Sequence, residues 1–80
     1  MANQKPASEV RIGSIKATIW RNQTGSGPRH NVTFERLYKD ADNWKSTQSF
    51  GRDDLLLLAK VADAAHSRIF ELQQQEPQSD

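Results

Sequence analysis

Polar and apolar residues alternate along the first two thirds of the chain, and then the period changes. From Val10 to Asn22 the sequence reads VRIGSIKATIWRN. It is rich in β-branched residues and predicts a strand with Ile15, Ala17 and Ile19 on one side and Lys16, Thr18 and Trp20 on the other. Val10 and Ile12 fall in the opposite phase, so Gly13 between them predicts a bulge or kink that switches faces. Gln23 to Pro28, with two glycines and a proline, predicts a hairpin loop. A second strand follows over Arg29 to Lys39, with His30, Val32, Phe34 and Tyr38 on one face and Arg29, Asn31, Thr33 and Glu35 on the other. Arg36 and Leu37 break that alternation. Asp40 to Asn43 is a cluster of turn formers. Beyond it a third strand, Trp44 to Phe50, sets Trp44, Ser46, Gln48 and Phe50 against Lys45, Thr47 and Ser49. On this parity Tyr38 and Trp44 share a face as a cross-strand aromatic pair.

Past Phe50 the period becomes helical. Gly51 is the expected N-cap, and Asp53 and Asp54 fall in the first turn, where the helix dipole favours carboxylates. Phe50 and Leu55 occupy the positions of a hydrophobic staple. Leu55, Leu58, Ala62, Ala65, Ile69 and Leu72 form one apolar stripe, with Leu57, Val61 and Ala64 beside it. These elements predict an α+β fold: an antiparallel meander of three strands, with Val10 to Gly13 available as a fourth, followed by one long C-terminal helix on one sheet face. Residues 1–9 are expected to be a flexible tail, 10–73 the domain, and 74–80 a disordered acidic tail. A helix of about 20 residues is about 30 Å long and overhangs strands of this length, leaving Leu56, Leu57, Val61 and Ala64 as the expected interface of a homodimer.

Composition bounds the function. Eighty residues, 35% of them hydrophobic, suffice for one core. The absence of cysteine removes disulfide frameworks and thiolate metal sites. The longest apolar run, Leu55 to Ala59, is far below the roughly 18 residues of a membrane span, and the first residues lack an apolar signal core, so a soluble, cytoplasmic protein is expected. The net charge of +1 conceals an asymmetry: residues 1–52 hold nine of the eleven basic side chains and four of the ten acidic ones. The strand half is therefore basic and the helix half acidic.

No catalytic constellation emerges. His30 and His66 lack metal-pair spacing and are expected to be structural, Asp53 and Asp54 are explained by capping, and Gly25-Ser-Gly27 precedes a strand where a phosphate-binding loop would precede a helix. A non-enzymatic protein without cofactors is expected. The open sheet face, by parity, carries Lys16, Thr18, Trp20, Arg29, Asn31, Thr33, Lys45 and Thr47, while Arg21 and Arg29 flank the glycine-rich loop as a possible phosphate clamp. Cations, hydrogen-bonding side chains and an aromatic on a sheet suit single-stranded nucleic acid, DNA foremost, with little sequence preference. The alternative is a protein interaction or dimerisation module that uses the apolar helix or a sheet edge.

Arg11 to Trp20, Asn31 to Phe34, Leu37 to Lys39, Trp44-Lys45 and Ser49 to Ala62 together resemble a group of small uncharacterised bacterial proteins, over about residues 10 to 70. That likeness implies a family without an activity. The order of elements is more loosely similar to the Whirly and transcriptional-coactivator type of single-stranded DNA binders, which implies a curved antiparallel sheet preceding a helix that dimerises.

Overall fold

The computed structural model describes residues 5–75. Four strands, β1 (Ser8–Ile12), β2 (Ile15–Thr24), β3 (Gly27–Asp40) and β4 (Asn43–Thr47), form one antiparallel sheet in the order β1-β2-β3-β4. A 3-10 turn at Arg52–Asp54 then leads into a single helix, α1 (Leu55–Gln75). This is the expected α+β architecture with the fourth strand present. Residues 1–4 and 76–80 of the expected tails lie outside the described residues. Within them the ordered elements reach further than expected, since β1 begins at Ser8 and α1 runs to Gln75.

Each connection within the sheet is a two-residue turn, and this corrects two readings of the sequence. Gly13 does not make a bulge. It opens a turn at Gly13-Ser14 that sets Ile12 directly opposite Ile15. Gly13 has φ +60° while Ser14 stays at negative φ, the φ signs of a type II′ hairpin turn. The phase reversal at Gly13 is thus the reversal of the chain, and Val10 and Ile12 face the same side as Ala17 and Ile15. The six-residue loop expected at 23–28 contracts to Gly25-Ser26, where the Thr24 hydroxyl donates to the Gly27 carbonyl at 2.6 Å and accepts from the Ser26 N–H at 3.2 Å. At the third turn, Ala41-Asp42, Ala41 takes φ +55° without being glycine.

The core lies between the helix and one sheet face. Ile15, Ala17 and Ile19 of β2 are buried against Val61 and Ala65 of α1. Val10, Ile12, Val32, Phe34, Phe50, Leu57, Leu58, Ile69 and Leu72 pack around them. Burying each large aliphatic contributes about 1.5–3 kcal/mol, so this short row holds the two layers together. The helix packs on β1 and β2, and Arg68 ties its far end to β1 by donating from Nη1 to the Ser8 hydroxyl at 2.7 Å. Its near end is fixed by Asp54, whose carboxylate accepts from the Gly51 N–H at 2.8 Å while its own N–H donates to the Gly51 carbonyl at 3.0 Å. Arg36 of β3 joins this corner: its Nε donates to the Ser49 carbonyl at 3.2 Å, lies 3.3 Å from the Asp54 carboxylate, and its guanidinium carbon sits 5.9 Å from the Tyr38 ring centroid. Leu55, the expected staple partner of Phe50, remains 51% exposed.

The left-handed conformation costs an L-residue about 1–2 kcal/mol. Ala41→Gly is therefore expected to raise the unfolding free energy by about 1 kcal/mol. Gly13→Ala should lower it by about 1–2 kcal/mol, because the residue has φ +60° and a Cβ there would sit 3.4 Å from Leu57 Cδ2. Urea denaturation of the two variants checks both signs, and a stabilised Gly13→Ala protein would contradict the turn assignment.

Candidate nucleic-acid interface

Register assigns every strand residue to a face. Counting from the buried Ile15, Ala17 and Ile19, the face away from the helix carries Glu9 and Arg11 from β1, and Lys16, Thr18, Trp20 and Asn22 from β2. From β3 it carries Arg29, Asn31, Thr33, Glu35, Leu37 and Lys39, and from β4 Trp44 and Ser46. Six of the eight residues expected on the open face are there: Lys16, Thr18, Trp20, Arg29, Asn31 and Thr33. Lys45 and Thr47 are not. They lie on the helix side, opposite Tyr38 and Arg36, because the two-residue turn pairs Asp40 with Asn43 and shifts β4 by one position from the expected parity. Lys45 there forms an ion pair with Asp40 at 2.9 Å, and the Thr47 hydroxyl accepts from the Ser49 N–H at 3.1 Å.

The same shift separates the expected aromatic pair. Tyr38 faces the helix side and lies near Arg36, whereas Trp44 is on the open face opposite Lys39, whose ammonium is 6.0 Å from the indole centroid. Arg21 and Arg29 do not form a clamp either. Arg21 pairs with His30 on the helix side, while Arg29 pairs with Asn22 on the open face.

Around Trp20 the open face is held in place by side-chain bonds. Its Nε1 donates to the Thr33 hydroxyl at 3.1 Å, a diagonal neighbour on β3, and this draws the indole down along the sheet. Thr18, directly opposite Thr33, is buried among its neighbours. Lys16 and Glu35 are cross-strand partners at 3.5 Å. Arg11 donates from Nε to the Gly13 carbonyl at 3.0 Å. Arg29, Asn31 and Thr33 are exposed. The surface thus combines four cations, Arg11, Lys16, Arg29 and Lys39, with two carboxylates, Glu9 and Glu35, and two tryptophans.

At the margin of the sheet, between the end of α1 and the start of β3, lies a recess of about 470 Å³ lined by Ser26, Pro28, Arg29, His30, Asn31, Ile69 and Gln73. His30 Nδ1 is buried beside it without a hydrogen-bond partner. Among the described residues, no group of three or more His, Cys, Asp or Glu side chains is placed to hold a metal ion, and no helix is long and apolar enough to cross a membrane.

The expected dimer residues are scattered. Val61 is fully buried in the protomer's own core, Leu57 and Ala64 are half-buried, and Leu56 stands alone at 85% exposure. The physical reason is the helix's rotation, which points the line Val61–Ala65 at the sheet and turns Leu56 away from it. Among the open-face residues outside the expected set are Lys39 and Trp44. The preference of hairpins for two-residue turns, applied to Asp40-Ala-Asp-Asn43, is the signal that finds them.

No protein-family model, curated protein or solved structure matches this chain.

The two indoles differ in environment, Trp44 being 65% exposed and Trp20 half-buried and hydrogen-bonded. Iodide should therefore quench the emission of a Trp20→Phe variant, which retains Trp44 beside Lys39, at least about twofold more steeply than that of a Trp44→Phe variant; equal quenching would contradict the placement of β4.

Proposed function

We propose that the protein binds single-stranded nucleic acid, DNA foremost, with low sequence specificity across the open face of its sheet. The observation that carries this reading is the Trp20 indole, held along the sheet by Thr33 in a surface that also presents Lys16, Arg29 and Asn31. Lys16 and Arg29 neutralise phosphates and release counterions, Asn31 and Thr33 offer hydrogen bonds to sugar, phosphate or base edges, and Trp20 is the stacking surface. Stacking requires unpaired bases, which favours a single strand over a duplex. The helix carries Asp63 and Glu71 against Lys60 and Arg68 and lies on the other sheet face, so no basic helix is available for a groove.

Fluorescence anisotropy of labelled single-stranded and duplex oligonucleotides at two salt concentrations tests this. Single strands are expected to bind more tightly, with log affinity falling against log salt by about 0.7 per phosphate contacted. Reversing both Lys16 and Arg29 to Glu should weaken binding by at least about tenfold and flatten that slope. Absence of binding at low salt would overturn the proposal.

A second reading, association of two copies, is favoured by the helix's flank. At about 100° per residue, Leu55, Leu58, Ala59, Ala62, Ile69 and Phe70 fall within an arc of about 120° that also holds His66 and Gln73. Lys60, Asp63, Arg68 and Glu71 all lie outside that arc. Ile69 and Gln73 line the recess with Pro28 to Asn31, so the stripe looks toward β3. Leu55 and Phe70, 51% and 58% exposed, stand at its two ends with alanines between them. Such a stripe is self-complementary when two helices cross antiparallel about a two-fold axis. With the adjoining part of β3 it offers on the order of 500 Å² per copy, about 1,000 Å² in all, the lower bound of a specific interface. The wild-type chain should sediment as a dimer at micromolar concentration and the Phe70→Glu and Ala59→Glu variants as monomers. A monomeric wild-type protein would remove this reading and leave the first untouched, because Trp20 and Lys16 lie on the sheet face away from the helix.

A further inference from the structure

We infer that Lys39 and Trp44 form a second anchor for the same nucleic-acid strand, so that the binding track runs the length of β3 and accommodates about eight nucleotides. The inference rests on the reading above and extends it to a second stacking platform.

Trp44 is the largest side chain of β4 and, at 65% exposure, buries little. It therefore contributes little to the fold. Its neighbours across the hairpin do bind within the fold, since Lys45 pairs with Asp40 and Arg36 is held by Ser49 and Asp54, but those groups face the helix side. On the open face the last paired strand residues of the hairpin present the indole and the Lys39 ammonium 6.0 Å from its centroid. An aromatic surface with a cation beside it is the unit that takes one base and its phosphate. Toward the other end of β3 the Trp20 indole, bonded to Thr33, is the first platform, with Arg29 two residues beyond its partner Asn31 on the same face.

Trp20 lies opposite Asn31 and Trp44 opposite Lys39, so eight residues of β3 separate the two platforms. At about 3.4 Å per residue that is about 27 Å. Stacked bases rise about 3.4 Å each, giving about eight nucleotides between the indoles and fewer where the strand is extended, which falls within the range of about 4–16 found for single-strand sites. Between the platforms lie Thr33, Lys16, Leu37 and Ser46. The one carboxylate on this stretch of β3, Glu35, is paired with Lys16 and offers reduced repulsion to a polyanion.

The experiment is titration of the full chain and a Trp44→Ala variant with oligothymidylates of roughly 4 and roughly 12 nucleotides, read by label anisotropy, with circular dichroism confirming that the variant is folded. The longer strand is expected to lose about tenfold in affinity on Trp44→Ala, while the short strand, which reaches one platform only, loses at most about twofold. Equal affinity of both proteins for the longer strand, with Trp20→Phe still weakening it, would overturn the second anchor and confine the site to the β2–β3 end. Failure of the wild-type chain to bind either strand would overturn the underlying reading as well.

Discussion

The pairing of Ile12 with Ile15 across Gly13 and Ser14 is the constraint on which the other elements depend. It returns the chain after two residues, so the apolar side chains of β1 and β2 meet on one face and give the helix a surface to cover. Two further two-residue turns, at Gly25-Ser26 and Ala41-Asp42, carry that parity through β3 and β4 without slippage. A single extra residue in any of them would exchange the faces of every strand beyond it. The separation of an apolar side under the helix from a polar, aromatic side in solvent is therefore a property of turn length as much as of strand composition.

The second layer is narrower than the first. Fourteen residues of β3 span about 47 Å and the helix about 31 Å, in a molecule 51 Å long and 17 Å thin. The helix covers β1 and β2, and the β3–β4 hairpin is joined to the rest by strand pairing, by Val32 and Phe34 at the margin of the core, and by Arg36. That geometry explains why Val32, Phe34 and Tyr38 stay partly exposed on the covered side and why apolar residues of the helix flank look across at them. It also leaves the opposite face unobstructed along most of its length, so the features proposed for nucleic acid and for self-association meet only at the start of β3, where Arg29 and Asn31 line the recess as well.

Much of this was legible before the structure. Alternation around Ile15, Ala17 and Ile19 identified the buried side of β2, the change of period at Phe50 located the helix, and the open face of β2 and the first half of β3 followed by parity. The misreadings share one cause. Local alternation says which residues share a face within a strand, but relating one strand's faces to the next requires the length of the connection. Residue type does not show that length at Gly13, at Gln23 to Pro28 or at Asp40 to Asn43; the contraction at 23–28 is by an even number and keeps parity, whereas the turn at 41–42 moves Trp44, Lys45 and Thr47 to the faces opposite those that local alternation gives. The helix interface failed differently. Leu57 and Val61 look as available as Leu55 and Phe70 in the sequence, and only the helix's rotation over β1 and β2 distinguishes them.

The unequal strand lengths have a further consequence for how the chain behaves in a crowded solution. Because β1 covers β2 only as far as Ile19, and β4 covers β3 only from Arg36, the ribbon from Trp20 to Glu35 presents unpaired backbone on both outer margins among the described strands. Such margins invite a foreign strand to add on and seed aggregates. Here the ribbon resists it through its chemistry: Pro28 removes one donor from the margin of β3, Arg21 and Arg29 place like charges near its tip, and the polar run Asn22 to Ser26 has little apolar surface with which to hold an incoming strand. The same residues that keep the tip hydrated thus guard the molecule against assembling edge to edge.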